Sequence, residues 1–390
     1  MYFIISFNDT GRDRQPEKRG ATLSRIPLAD LAAAHTERAV ELEAAALAVL
    51  RSGRYILGPE VAAFEGELAD YVGVAGTVGV ASGTDALVLA LQALDLPPGR
   101  RVVTTPFTFF STASCIIRLG FQPVFVDIDP ATFCLDTAAA ARACEDEEVR
   151  AVIGVDLYGD VLDYEELRRR IDRDDVYLIE DAAQSFGAEL RHRRAGSLAD
   201  LGVFSFFPAK NLGAAGDGGA VVGDDKALLE RVRILRVHGA NPKYHHRLIG
   251  INSRLDPLQA AMLRVKLAHI DEDLRRRREH AAAYNAALAE HLEVPDPAAG
   301  HYHAYNYYVA ATEKRDALRA ALNEAGIGSA VYYPKPLHLQ PCFAGLGYSP
   351  GDLPIAEAAC ERVLALPMYP QLSEADRDRV IGTVVGFFTA

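Results

Sequence analysis

Short apolar runs recur through the first half of the chain, and between them apolar residues fall at helical spacing. Val78–Val80, the start of Arg101–Ala113, Gln122–Asp129, Ala151–Leu157, Val176–Asp181, the head of Gly202–Gly219 and Ala220–Val222 read as strands. Thr36–Arg51, Val61–Val72 with Phe64, Leu68 and Tyr71 on one face, the residues leading to Leu94, and Leu255–Leu267 read as helices. This alternation predicts an α/β fold, a large and mostly parallel sheet sandwiched by helices, with its site at the strand C-termini. After a long predicted helix, Asp271–Leu292, the stretch Glu293–Gly300 carries two prolines and marks the passage to a smaller domain. There the pattern predicts strands near Tyr305–Ala310 and Ser329–Tyr332, and helices near Lys314–Ala325 and Leu353–Val363, a C-terminal α+β unit. The expected division is a polar, flexible leader at 1–25, a large domain at 26–270 and a small one at 271–390.

One apolar run ends in unusual chemistry. GVFSFFPAKNLGAAGDGG (Gly202–Gly219) begins as a buried strand, stops at Pro208, presents Lys210 and continues in glycine and alanine. A lysine at the mouth of a buried strand is costly unless its charge is solvated, paired or removed. Forming an imine with an aldehyde removes the free ammonium and makes the amine chemically useful. Upstream, VYLIEDAAQ (Val176–Gln184) ends in Asp181, with the amide of Gln184 three residues on. One strand end with Asp and the next with Lys suit pyridoxal phosphate (PLP). The carboxylate keeps the pyridine nitrogen protonated and the lysine holds the aldehyde. A third element is VGVASGTDALVLALQAL (Val78–Leu94), in which Ser82-Gly83-Thr84 opens a helix. Free amides and the helix dipole bind phosphate there, Gly83 permits close approach, and the Thr84 hydroxyl adds a donor. Each feature has a plainer reading, a solvated surface lysine or an ordinary N-cap by Ser82 or Thr84. The three together favour a cofactor site.

EDAAQSFGA followed by SFFPAKNLGAAGDGG closely resembles the DegT/StrS nucleotide-sugar aminotransferases, fold type I PLP enzymes. The resemblance runs from about Ile26 to the C-terminus with the motifs in order. It implies that Phe109 stacks on the pyridine ring, that Gln184 bonds the ring hydroxyl, and that Ser205 joins Gly83 and Thr84 around the phosphate. Gly250–Arg254 matches the family's G-x-N-x-R, which implies that Asn252 reaches the phosphate of a partner subunit in a homodimer with shared sites. The proline-rich YYPKPLHLQP (Tyr332–Pro341) lies over the sugar in the family, which implies substrate contacts from Tyr333, Lys335 and His338. The family often has His before Leu-Tyr-Gly, where this chain has Asp156.

The implied reaction passes an amino group from L-glutamate to a keto-sugar on a nucleotide diphosphate, with PLP alternating with its aminated form, PMP. The PLHLQP stretch leans the reading toward a 3-keto sugar. A PMP-dependent sugar dehydratase is the nearest alternative, but such relatives replace the lysine with histidine. A non-catalytic regulatory protein on the same fold would have a broken constellation, whereas Asp181, Gln184, Ser205 and Lys210 all stand.

Composition narrows the partners. A net charge of −12 over 390 residues disfavours nonspecific binding to nucleic acid or an anionic membrane. An anionic substrate must then be held by local donors. The five cysteines are odd in number and form no CxxC pair, which argues against a disulfide framework and a zinc site. Adjacent His245 and His246 do not converge easily on one ion, so no metal is expected. MYFIISF at the start is short and lacks a basic region before it, and no apolar stretch reaches the roughly 18 residues of a membrane span. The cytoplasm is the expected compartment. Neither G-x-G-x-x-G opening a helix nor a P-loop motif is present.

Overall fold

The computed structural model describes residues 25–390; the expected leader, apart from Arg25, lies outside the described residues. Seven strands form the central sheet: β1 (Gly76–Val80), β2 (Arg101–Thr104), β3 (Gln122–Phe125), β4 (Val149–Val155), β5 (Tyr177–Asp181), β6 (Leu201–Ser205) and β7 (Gly219–Gly223). Their spatial order is β1-β7-β6-β5-β4-β2-β3. Strand β7 is antiparallel to both neighbours, and every other adjacent pair is parallel. The strands are apolar on both faces because helices cover both. Val203 of β6 packs with Val78, Leu89 and Val221 on one side, while the next residue, Phe204, packs with Phe64, Phe206 and Val222 on the other.

The register gathers the functional strand ends at one edge. Asp181 lies opposite Val203, Ser205 opposite Gly219, and Gly219 opposite Val80. Leaving that edge are helices α1 (Gly83–Ala93) after β1, α2 (Ser111–Arg118) after β2 and α3 (Tyr164–Arg170) after β4. Gly219 has to be glycine: a Cβ there would sit 2.5 Å from the Ser82 carbonyl and 2.8 Å from Gly83 N. The start of β7 is thereby pressed against the β1–α1 turn.

A long helix, α4 (Ile270–Leu288), leads to the C-terminal part, where β8 (Tyr308–Ala311) pairs antiparallel with β9 (Val363–Leu366). Helices Arg315–Glu324, Pro354–Arg362 and Glu374–Thr389 accompany them. The local core includes Tyr284, Leu288, Tyr308, Leu318, Leu364 and Val380, and Ile26 belongs to it. The expected strand at Ser329–Tyr332 is reduced to a single bridge, Ala330 to Ala365. Gly328 N donates to Ile26 O on one side of it, and Pro334 and Pro336 on the other carry no N–H to extend a ladder.

Candidate active site

Lys210 follows β6 in a tight turn in which its own N–H donates to Phe207 O at 2.8 Å. The turn aims the half-buried side chain inward, with Nζ 5.8 Å from the centre of the Tyr307 ring. Burial pulls the amine down to about 8, against the opposing pull of the Asp181 charge. Asp181, at the end of β5, is 5% exposed. It accepts from Thr112 Oγ1 at 2.8 Å and from Ala183 N at 3.3 Å. Burial pushes its carboxyl upward, while these two bonds and the Lys210 charge hold it down. Thr112 is itself 3.1 Å from Thr108 Oγ1, so a short line of buried hydroxyls backs the carboxylate.

The β1–α1 turn has the form of an anion cup. Ser82 is the N-cap, and its Oγ accepts from Asp85 N at 3.1 Å. Gly83 N and Thr84 N donate to no group among the described residues. A Cβ on Gly83 would lie 2.6 Å from Ser205 Cβ and 3.0 Å from its hydroxyl, so the Ser205 hydroxyl stands directly beside the open helix end. Two free N–H groups, a helix dipole and a hydroxyl make a phosphate-sized set of donors. Gln184 is also placed at this edge. Its Oε1 accepts from Tyr158 N at 3.1 Å and its Nε2 donates to Tyr333 Oη at 2.7 Å. One Nε2 hydrogen remains for a ligand.

The buried carboxylate, the amine and the open helix end meet the three demands of PLP: a partner for the pyridine nitrogen, one for the aldehyde and one for the phosphate. A model of the DegT/DnrJ/EryC1/StrS aminotransferase family matches residues 37–385. The chain belongs to that family. Over 367 residues, 93% of this chain and 98% of the relative, this family member is 44% identical to a pleiotropic regulatory protein of Geobacillus stearothermophilus. It is 42% identical over 366 residues to the dTDP-3-amino-3,4,6-trideoxy-alpha-D-glucose transaminase of Streptomyces venezuelae, covering 93% of this chain and 96% of that protein. Its fold superposes on the crystal structure of S. venezuelae DesV with a TM-score of 0.91 at 41% identity, over 94% of this chain and 99% of that one. NtdA from Bacillus subtilis with bound PMP gives 0.87 at 28% identity, over 96% and 87% of the two chains. The fold is thus the fold type I α/β architecture of the PLP aminotransferases.

The remaining candidate residues of this DegT-family protein are Phe109, Asn252, Tyr333, Lys335 and His338. Phe109, just before α2, is 57% exposed, while its neighbour Phe107 is buried against Tyr158 and Tyr333. Asn252 is exposed, and its side chain bonds nothing among the described residues. The next residue, Ser253, accepts from Ala81 N at 3.1 Å, which anchors that strap beside the cup. Lys335 is exposed and Tyr333 is tied to Gln184. His338, expected to touch the sugar, has a buried side chain with Nε2 3.2 Å from Glu357 and the ring edge-on to Tyr348, while its Nδ1 has no hydrogen-bond partner among the described residues.

Thr112 and Tyr307 were not expected from the sequence. Thr112 lies in FTFFSTA, and only the fold shows that its hydroxyl meets a carboxylate from another strand. Tyr307 comes from the C-terminal part, and no local pattern links it to Lys210. Among the described residues no group of His, Cys, Asp or Glu could hold a metal ion, and no helix is long and apolar enough to cross a membrane.

Proposed function

We propose that this protein is a PLP-dependent aminotransferase that passes an amino group from L-glutamate to carbon 3 of a keto-sugar carried on a nucleotide diphosphate. The observation that carries the reading is the pairing of a buried carboxylate at one strand end with a half-buried amine just beyond the next. Lys210, its amine lowered to about 8, and Asp181 sit at one sheet edge beside the donor-rich turn at Gly83. At pH 7 an amine of that pKa is neutral in about one molecule in ten, far more than an exposed lysine. When bound, PLP supplies an aldehyde for the amine and an electron sink for the donor's α-carbon. Gly83 N, Thr84 N, the Thr84 and Ser205 hydroxyls and the Asn252 amide hold its phosphate. Asp181 holds the pyridine nitrogen, Gln184 the ring hydroxyl, and Phe109 covers the ring face. Lys210 Nζ takes the proton from the α-carbon of glutamate and, in the second half of the cycle, returns a proton to the acceptor side. Tyr333, Lys335 and His338, whose Nδ1 has no hydrogen-bond partner among the described residues, face the sugar.

Residues 26–270 carry the cofactor in this reading and 271–390 close on the sugar. The working unit is a homodimer in which Asn252 serves the partner's phosphate. Support comes from large apolar side chains left exposed, Phe109 and Phe207 on the loops after β2 and β6, and Tyr244 at 79% and Ile249 at 89% in the segment that leads to Asn252. All five cysteines are free, which fits a reducing, cytoplasmic setting. The carbon-3 assignment is supported by the name of the Streptomyces relative.

The test is a product assay with L-glutamate and several keto-sugar nucleotides, read by mass and NMR, alongside Lys210→Ala. The native protein should aminate a 3-keto substrate. Lys210→Ala should bind PLP without a covalent bond and lose at least about 10⁴-fold in turnover. Normal turnover by that variant would sink the assignment.

A further inference from the structure

Glu180 and Asp181 are consecutive in β5, so their side chains leave opposite faces of the sheet. Asp181 faces the site. Glu180 turns into the layer behind it; it lies opposite Gly154 of β4, two residues before Asp156, so the Glu180 and Asp156 carboxyls share that face, and both residues are 0% exposed. The distribution of donors around the two carboxyls is unequal. Glu180 receives backbone N–H groups on both oxygens, Gly196 N on Oε1 and Leu198 N on Oε2, the latter at 2.8 Å. Backbone N–H donors on both oxygens favour the charged form of Glu180. Asp156 receives Leu162 N at 2.9 Å and the Tyr164 hydroxyl at 3.1 Å, both on Oδ1. Its Oδ2 accepts from the Ser185 hydroxyl at a looser 3.3 Å and meets no N–H donor among the described residues. Two touching carboxylates in a dry layer cannot both ionise. Asp156 Oδ2, the oxygen with the weakest donor, is where a proton satisfies the pair.

We propose that one proton is held between these two carboxyls on Asp156 Oδ2, donated to Glu180, and that the pair is a positioning device for Asp181 and Gln184. The connections run through the backbone. Asp156 N donates to Asp181 O at 3.1 Å, which fixes the end of β5. Ser185 ties the loop after β5 to Asp156, and Gln184 is the preceding residue. Tyr158 N, two residues beyond Asp156, donates to the Gln184 side chain at 3.1 Å. Asp156 thus takes no part in substrate contact, since its carboxyl is sealed behind the ring clamp.

The other groups facing the pair do not replace the proton. Burial pushes the Tyr164 hydroxyl from α3 and the Cys134 thiol from the loop after β3 well up, so both stay neutral. Asp181 adds negative charge from the same strand. Arg193 is the cation that acts on Glu180, and it is exposed on the neighbouring hairpin. Burial and the Glu180 charge accordingly push the Asp156 carboxyl far above its ordinary range.

The positioning half rests on the cofactor reading above, and the proton half does not. Infrared spectra of the apoprotein at neutral pH test the proton. The wild type should show a protonated-carboxyl band that Asp156→Asn abolishes, and an identical spectrum in the two overturns the proposal. Cofactor affinity tests the positioning. Asp156→Asn offers an N–H to Glu180 and a carbonyl to Leu162 and Tyr164, so PLP affinity should stay within about twofold. Asp156→Leu offers neither and should lose about tenfold or more, a change of one hydrogen-bonding unit or two. Should that variant fail to fold, Ser185→Ala removes only the tie to the Gln184 loop and should lose about threefold or more. Unchanged affinity in the folded variant overturns the positioning role and leaves the aminotransferase reading standing.

Discussion

The Asp181 carboxylate accepts from Thr112 and Ala183 and sits at the end of a strand laddered on both sides. The Asn252 amide stands in solvent with no side-chain bond among the described residues. Both belong to the proposed cofactor site, yet one side chain is held by its own chain and the other bonds nothing among the described residues. The same contrast separates Gly83 and Ser205, so close that a Cβ on Gly83 would lie 2.6 Å from Ser205 Cβ, from Phe109 and Lys335, which are exposed. The floor of the site is a property of the sheet edge, and folding completes it. The rim waits for a ligand or a second subunit. Variants of the floor should therefore damage chemistry within one chain, and variants of the rim should damage binding that another molecule can restore.

The largest expected effect in this comparison belongs to Asp181→Asn. It keeps the shape and the Thr112 bond partner but removes the charge that stabilises a protonated pyridine. Turnover should fall by roughly 10²–10³-fold, the scale of losing one preorganised electrostatic group. The same change has a signed effect on Lys210. Burial disfavours the ammonium and the Asp181 charge favours it, which leaves the amine at about 8. The rate of PLP attachment to the apoprotein should rise with pH and level off above that value. Removing the favouring charge must shift the midpoint to lower pH. A shift to higher pH, or none, would show that the two groups do not sense one another.

The floor was legible from sequence because each of its parts is a local signal at a strand end: an aspartate closing VYLIED, a lysine after SFFPA, a Ser-Gly-Thr turn opening a helix. Strand periodicity located the edge, and register brought the ends together. Thr112, Tyr158 and Tyr307 were not legible, because each meets the site through a partner far along the chain. The burial of His338 was not legible for a related reason. A polar residue on a proline-rich loop suggests exposure, but the turn Leu337–Leu339 is pinned by Leu337 N to Pro106 O at 2.8 Å and rotates the imidazole toward Glu357. Asp156 illustrates the opposite case. Its departure from the family pattern was visible, and its consequence lay in a carboxyl on the next strand that no spacing rule connects to it.

Asn252 sharpens the comparison at the next level of effect. Asn252→Ala should weaken PLP retention by about 10–100-fold, the range for one hydrogen bond to a charged group. The covalent bond at Lys210 should be untouched. Mixing Lys210→Ala with Asn252→Ala, after confirmed subunit exchange, should restore one good site per heterodimer, lysine from one chain and asparagine from the other. Absence of any recovery would place Asn252 in its own chain's cup, where the Ser253 anchor at Ala81 brings the strap close.

The smallest effect concerns Tyr333, which straddles the two regions. Its hydroxyl accepts from Gln184 on the floor, and its loop belongs to the rim with exposed Lys335. Tyr333→Phe keeps the edge contact with Phe107, a ring pair 6.1 Å apart, and removes only the hydroxyl. One neutral hydrogen bond is worth roughly a two- to tenfold change. If the hydroxyl mainly steadies Gln184, both half-reactions should slow equally, because the ring clamp serves both. If it turns to the sugar when substrate arrives, the half-reaction with the keto-sugar nucleotide should slow more than that with glutamate. The rim assignment predicts the second outcome. Lys335→Ala supplies the control, since its exposed amine has no floor contact to lose and should affect the sugar half-reaction alone. Single-turnover absorbance with each substrate separates the two. Equal slowing in both half-reactions for both variants would move this loop from the rim to the floor.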